Sequence, residues 1–222
     1  VNSHARNVII MAKEPRIGRV KSRLARSIGV VNAWAFYRKT LSDVARRLAV
    51  DGRWRVFLGV SPNGAQNNPK LWPIHSRRLA QGSGNMGTRM ARLMNAFPKG
   101  PVILVGADIP SIQAYHIFDA FKLLGRYDVV FGPASDGGYW MIGLKHCCQF
   151  FDIFSDVRWS GPHALSDTIA KLPTYWNFGF AATLDDIDDY EDFKRLKSQA
   201  VQLTTTYVRE DLSQQAQNRV CS

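Results

Sequence analysis

Asn7-Val-Ile-Ile-Met-Ala12 leads directly into Lys13-Glu-Pro-Arg-Ile-Gly-Arg-Val-Lys-Ser-Arg-Leu24. The first stretch is short, apolar and rich in β-branched residues, as a buried strand should be. The second carries five cations, Lys13, Arg16, Arg19, Lys21 and Arg23, within eleven residues, beside a glycine that lets the backbone turn sharply. A loop of that composition can wrap a diphosphate, with arginines offering bidentate forks and lysines a compact charge. It is not a Walker A loop, because no Gly-Lys-Ser/Thr follows four free positions. The alternative is a solvated basic loop.

Working outward, apolar residues from Asn32 to Val50 recur at helical spacing (Trp34, Tyr37, Leu41, Val44, Ala45, Leu48), and Arg55–Val60 reads as a second strand. Ser61–Pro73 is a loop by composition. A helix follows through Met86, Met90, Leu93, Met94 and Phe97, and Pro101–Ala107, ending in Asp108, is the strongest strand signal of the chain. Ser111 is the expected N-cap of a helix through Leu124. Strands are expected at Asp128–Phe131 and Tyr139–Ile142, and helices near His163–Lys171 and Asp189–Gln199. Alternation of this kind predicts a three-layer α/β/α fold on a mostly parallel sheet, with the chemistry just beyond the carboxyl ends of the strands.

The 222 residues, 45% hydrophobic and 21% charged, suit a single domain over 1–222 with a polar tail from about residue 200. No apolar run approaches the length of a membrane span, and Val1–Asn7 has no secretory segment behind it, so a soluble cytoplasmic chain is expected. Cys147, Cys148 and Cys221 have no zinc-like spacing. The net charge of +11 is divided unevenly: residues 1–107 hold 19 Lys+Arg against 3 acids, and residues 108–222 hold 10 against 15. That division argues less for a general nucleic-acid binder than for a cleft where cations meet an anion and carboxylates hold a metal.

Three further constellations can carry chemistry. Asp108, at the end of a strand, suits a ligand to Mg²⁺ or Mn²⁺, the alternative being a helix cap. Gly132-Pro-Ala-Ser-Asp-Gly-Gly-Tyr-Trp140 reads equally as a ligand loop, with Asp136 binding hydroxyls or acting as a base, and as a hairpin turn. In Asp185-Asp-Ile-Asp-Asp189, Asp186 and Asp188 would project to one side of an extended segment and offer a second metal ligand, while neighbouring acids cap the following helix. Gly82-Ser-Gly-Asn-Met-Gly87 matches the dinucleotide fingerprint literally, but Arg77–Gln81 before it makes a poor buried strand. His116 and His163 read as helix residues without catalytic duty, and Trp34, Phe36 and Tyr37 as core.

With those pieces in order the chain resembles the DUF2064 group of glycosyltransferase-like proteins, of the radical-SAM-associated type. These are GT-A-fold transferases distantly similar to 2-phospholactate guanylyltransferase and the molybdenum-cofactor nucleotidyltransferases. The resemblance rests on Ala12–Leu24, Asn85-Met-Gly-Thr-Arg-Met90, Gly106-Ala-Asp-Ile-Pro110, Gly132–Tyr139 through Gly143-Leu144, Trp159-Ser-Gly-Pro162 and Asp186–Phe193. It implies that Lys13, Arg16, Gly18, Lys21, Arg23 and Arg89 bind nucleotide phosphates. It further implies that Asp108 with Asp186 or Asp188 holds the metal, and that Asp136, Gly137, Gly138 and Tyr139 face the donor or acceptor. Asp108, Asp136 and Lys21 would then be the catalytic set. The chain departs from the pattern at Asn85, where an acid is usual, and at Asp189-Tyr190, where Thr-Pro is usual.

The expected activity is metal-dependent transfer from a nucleotide-activated donor, most simply a nucleotide sugar, to a small-molecule acceptor. Nucleotidyl transfer releasing pyrophosphate is the nearest alternative. Non-catalytic binding of nucleotide or nucleic acid is the alternative from another class.

Overall fold

The computed structural model describes residues 5–73, 77–97, 100–145 and 152–198. Its elements alternate as β1 (Asn7–Lys13), α1 (Ser22–Ile28), α2 (Val30–Ala49), β2 (Arg55–Ser61), β3 (Arg77–Ala80), α3 (Met86–Asn95), β4 (Val102–Gly106), α4 (Ala114–Leu123), β5 (Val129–Pro133), β6 (Tyr139–Leu144), α5 (Ala164–Ala170) and β7 (Phe178–Phe180). A last helix, α6, covers residues 190–198. Among the described residues seven strands form one sheet in the order β3-β2-β1-β4-β6-β5-β7. All neighbouring pairs are parallel except those of β6, which runs antiparallel to β4 and β5.

Burial on both faces explains why these strands read as unbroken apolar runs rather than as an alternation. Val8, Ile10 and Ala12 of β1 and Ile103 and Val105 of β4 pack under Tyr37, Leu41, Val44 and Leu48 of α2 and Ile117 and Phe121 of α4. Ile9, Leu104 and Phe131 face the other way, against Met90, Leu93 and Met94 of α3. The result is the predicted three-layer, mostly parallel architecture. Among the described residues no helix is long and apolar enough to cross a membrane.

Four local expectations are corrected. The basic loop is shorter than its composition indicates, because Ser22 and Arg23 already belong to α1. Ser111 does not cap α4. The chain first buries Ile112 completely, and Arg47 holds the carbonyls of Pro110 and Ile112. The helix therefore starts later, with Gln113 as N-cap and the Gln113 N–H donating to His116 Nδ1 at 3.1 Å. Arg77–Ala80 is a strand after all; it lies at the sheet edge, where one-sided exposure tolerates its arginines. Phe178–Phe180 forms a further edge strand that three residues of sequence did not signal. The expected polar tail and the three cysteines lie outside the described residues.

Candidate active site

From β1 the chain winds outward to β2 and β3, then returns to β4 on the opposite side of β1. That reversal opens a crevice beyond the carboxyl ends of β1 and β4, where parallel sheets bind ligands. Here it is a cleft of about 590 Å³ whose lining includes the cations Lys13, Arg19, Lys21 and Arg89 and the carboxylates of Asp108, Asp136 and Asp186.

Two aromatic residues of α2 fix the basic loop. Tyr37 Oη accepts from the Lys13 N–H and donates to the Lys13 carbonyl, both at 2.8 Å. Trp34 Nε1 donates to the Pro15 carbonyl at 2.6 Å. Both residues look like core filler in the sequence, and their polar atoms give them this second role. Burial, and then the charge of Asp108, push the Tyr37 hydroxyl well above its ordinary pKa, which keeps it a neutral donor.

The loop ends at Lys21, whose backbone is left-handed (φ 50°, ψ 48°), a conformation that a side-chain-bearing residue adopts at a cost. Its side chain is only 3% exposed, and its Nζ lies 2.8 Å from Asp108 Oδ2 and 2.8 Å from Asp188 Oδ1. Burial alone would lower the Lys21 pKa, but the two carboxylates more than offset it and the net shift is upward. Arg23 adds a longer contact, 3.6 Å to Asp188 Oδ2.

The acidic segment reaches this place by following the strand ends. Ala181 and Leu184 donate to the carbonyls of Phe131 and Pro133, and Ile187 donates to the carbonyl of Asp108. Most of its acids have structural duties. Asp185 Oδ1 accepts from the N–H and hydroxyl of Ser135. Asp189 caps α6 by accepting from the N–H groups of Glu191 and Asp192, while Asp192 accepts from those of Asp188 and Asp189. This reciprocal cap starts the helix without the family's usual Thr-Pro. Asp186 lines the cleft, and Asp188, which does not, pairs with Lys21 beside it. Burial, with Asp188 the largest of the neighbouring charges, raises the Asp186 pKa to about 6; Lys21 opposes the shift, and Asp108 and Asp136 add to it. The four carboxylates and Lys21 are therefore one electrostatic unit.

Asp108 does not cap a helix. Its Oδ1 is shut off from solvent and has no hydrogen-bond partner among the described residues, an arrangement that favours a cation ligand. No three acidic or imidazole groups among the described residues are placed to enclose a metal by themselves. The donor set fits a hard divalent ion held by one or two carboxylates, with phosphate oxygens completing its shell.

The Gly132–Trp140 segment proves to be both a hairpin turn and a cleft wall. Its turn bonds run from Gly137 N–H to the Ala134 carbonyl and from Ala134 N–H to the Gly138 carbonyl, and Asp136 Oδ1 accepts from the Gly138 N–H. Asp136, Gly138 and Tyr139 line the cleft. The Tyr139 hydroxyl lies 3.4 Å from Thr168 Oγ1, and burial pushes its pKa well up. Gly137 faces Pro162 instead: a Cβ there would sit 2.3 Å from the Pro162 carbonyl oxygen. Arg16 is 65% exposed and pairs with Glu14, and neither it nor Gly18 lines the cleft.

The dinucleotide-like glycines are filled from within. The space beside Gly82 holds the guanidinium of Arg92, which donates to the carbonyls of Gln81 and Ser83, and Gly87 packs against the Phe154 carbonyl. Asn85, where the family usually has an acid, caps α3 by accepting from the Thr88 N–H at 2.9 Å.

Fold and cleft together define the GT-A class of nucleotide-diphospho-sugar transferase folds. Within that class the chain belongs to the DUF2064 family, described as uncharacterized proteins conserved in bacteria, whose model matches residues 44–161. A crystal structure from Desulfovibrio desulfuricans G20, provisionally described as a nucleotide-diphospho-sugar transferase, is 26% identical. It aligns over 84% of this chain and 83% of that one with a TM-score of 0.77. The fold is also shared with 4-diphosphocytidyl-2C-methyl-D-erythritol synthase from Anaerococcus prevotii DSM 20548 (10% identity, 86% of this chain and 95% of that one, TM-score 0.57). CMP:2-keto-3-deoxy-manno-octonic acid synthetase complexed with CTP is a third neighbour (10% identity, 89% and 99%, TM-score 0.54). No curated protein matches the chain in sequence.

Proposed function

We propose that this chain is a metal-dependent transferase acting on a nucleotide-activated donor, with transfer of a sugar from a nucleotide sugar to a small-molecule hydroxyl as the leading reading. One observation carries it: Lys21, Asp108 and Asp188, far apart in sequence, meet at the switch point of the sheet, beside a cleft whose cations Lys13, Arg19 and Arg89 have no carboxylate partner among the described residues. Unpaired cations grouped around a cleft are suited to an anionic ligand. The 26% identical structure described as a nucleotide-diphospho-sugar transferase supports a nucleotide-sugar donor.

In this reading Lys13, Arg19, Lys21 and Arg89 bind the donor's diphosphate, and Arg23 steadies Asp188 from the rim. Asp108, with Asp186 or Asp188, holds Mg²⁺ or Mn²⁺, which when bound supplies Lewis-acid neutralisation of charge on the phosphates. The acceptor oxygen bonds to the anomeric carbon while the bond from that carbon to the diphosphate oxygen breaks. The nucleoside diphosphate departs with the bonding pair, and the hydroxyl proton passes to the Asp136 carboxylate. Positioned cations stabilise the departing charge without reorganising, and this supplies most of the rate.

Nucleotidyl transfer is the second reading, favoured by the shared fold of the two cytidylyl-type synthases. In that case the acceptor attacks the α-phosphorus of a nucleoside triphosphate and pyrophosphate leaves. A thermal-shift panel of nucleotides and nucleotide sugars, with Mn²⁺ or chelator, tests the common reading: cation-dependent stabilisation by at least one ligand is expected, and none from any ligand would refute it. Product analysis then separates nucleoside diphosphate from pyrophosphate.

A further inference from the structure

The residue that follows β3, Gln81, has a buried side chain, 3% exposed, at the rim of the same cleft. Its backbone N–H extends the β2–β3 ladder to the Val60 carbonyl at 3.0 Å. Its Nε2 donates to the carbonyls of Ala12, at 3.2 Å, and Gly59, at 2.8 Å, which tie it to the ends of β1 and β2. These two bonds consume the amide donors and fix which way the group points, so Oε1 is presented to Arg89, whose Nη1 donates to it at 2.9 Å.

Arg89 sits in the first turns of α3, and it makes two further contacts, Nε at 3.3 Å to the Asn85 carbonyl and Nη2 at 3.8 Å to Met86 Sδ. A guanidinium carries five N–H donors, more than these three contacts use, and no carboxylate among the described residues pairs with it. A carboxylate at position 81 would hold Arg89 more tightly but would cancel its charge. A hydrocarbon would leave it to wander. Glutamine's neutral amide restrains the guanidinium while leaving its full charge for an incoming anion. We infer that Gln81 is a positioning residue that aims Arg89 at the phosphates of the ligand, an inference that rests on the phosphate-binding reading of the cleft.

The test is a double-mutant cycle on the full chain, with inorganic pyrophosphate as probe and calorimetric Kd as readout. Gln81→Met is expected to weaken pyrophosphate binding roughly tenfold, the scale of a hydrogen bond to a charged group, and to have no further effect in an Arg89→Met background. Gln81→Glu, which keeps the acceptor, is expected to weaken binding at least as much. Equal losses in both backgrounds would make Gln81 a structural tie between strands and overturn the inference, as would no loss at all. So would wild-type protein that binds no pyrophosphate. Wild-type protein that binds pyrophosphate with the expected coupling but binds no nucleotide would uphold Gln81 and refute the nucleotide reading instead. Thermal melts of each variant separate misfolding from lost affinity.

Discussion

Replacing Lys21 by Met tests the centre of the site, because one substitution removes the cation and keeps the apolar stem. In the folded chain the ammonium bridges Asp108 and Asp188 at 2.8 Å each, and both partners retain solvent contact, 33% and 46% exposed. Stripping one partner from a fully buried pair costs about 3–5 kcal/mol, whereas exposed pairs contribute roughly 0–1 kcal/mol. Half-open carboxylates fall between these limits, so a loss of about 2 kcal/mol is expected. For a chain of this size that corresponds to a fall in Tm of about 4–8 °C. The same ammonium occupies the space between two carboxylates that a divalent ion would use. Millimolar Mn²⁺ should therefore raise the Tm of the variant more than that of the wild type, because the competing charge is gone. Melts followed by circular dichroism, with chelator and then with Mn²⁺, check both halves. An unchanged Tm in chelator, or equal Mn²⁺ stabilisation of the two proteins, would refute the reasoning.

Three other outcomes follow from the geometry. Asp186, raised to about 6, binds its proton more tightly folded than unfolded, so its contribution is favourable in acid and is lost as pH rises through about 6. Asp186→Asn should stabilise the metal-free protein most at pH 8, less at pH 5, and little once the pH falls below the unfolded value of 3.8, measured by denaturant titration. His116 has the opposite sign: burial lowers its pKa, so its contribution is present above the unfolded value and declines as pH falls below it. His116→Gln, which keeps a side-chain acceptor for the Gln113 N–H, should flatten that acid-side decline in the same titration. Gly137 combines φ +85° with a Cβ position 2.3–2.7 Å from Pro162 backbone atoms. Gly137→Ala should cost at least about 1–3 kcal/mol and weaken nucleotide binding, while Gly64→Ala, with nothing within 4 Å and outside the cleft, should leave both unchanged.

Much of the site was legible because its positions are coupled to local pattern. Strands that must be buried on both faces announce themselves as apolar runs, and the polar residues at or just past the ends of two of them, Lys13 and Asp108, were thereby placed at one edge of the sheet. Other features carried no such signal. Gln81 is an ordinary polar residue after a strand that looked too basic to be one, and the tether of Lys13 by Tyr37 Oη hides in a helix whose apolar spacing reads as core. Of the acids from Asp185 to Asp192, composition showed that some would cap a helix, but not which.

Sequence alone determined the layered α/β class, the direction of most strands, and the two segments, one basic and one acidic, that had to supply the chemistry, because side-chain periodicity and turn composition act over a few residues. Tertiary structure decided that Lys21 is buried between Asp108 and Asp188, a pairing across 167 residues of chain. It also decided that Asp185 and Asp189 serve the scaffold while Asp186 lines the cleft and Asp188 pairs with Lys21 beside it, and that Arg89 is held by an amide rather than an acid. The physical reason is the same in each case: the desolvation and Coulomb energies that set these roles exist only once distant segments share one low-dielectric space.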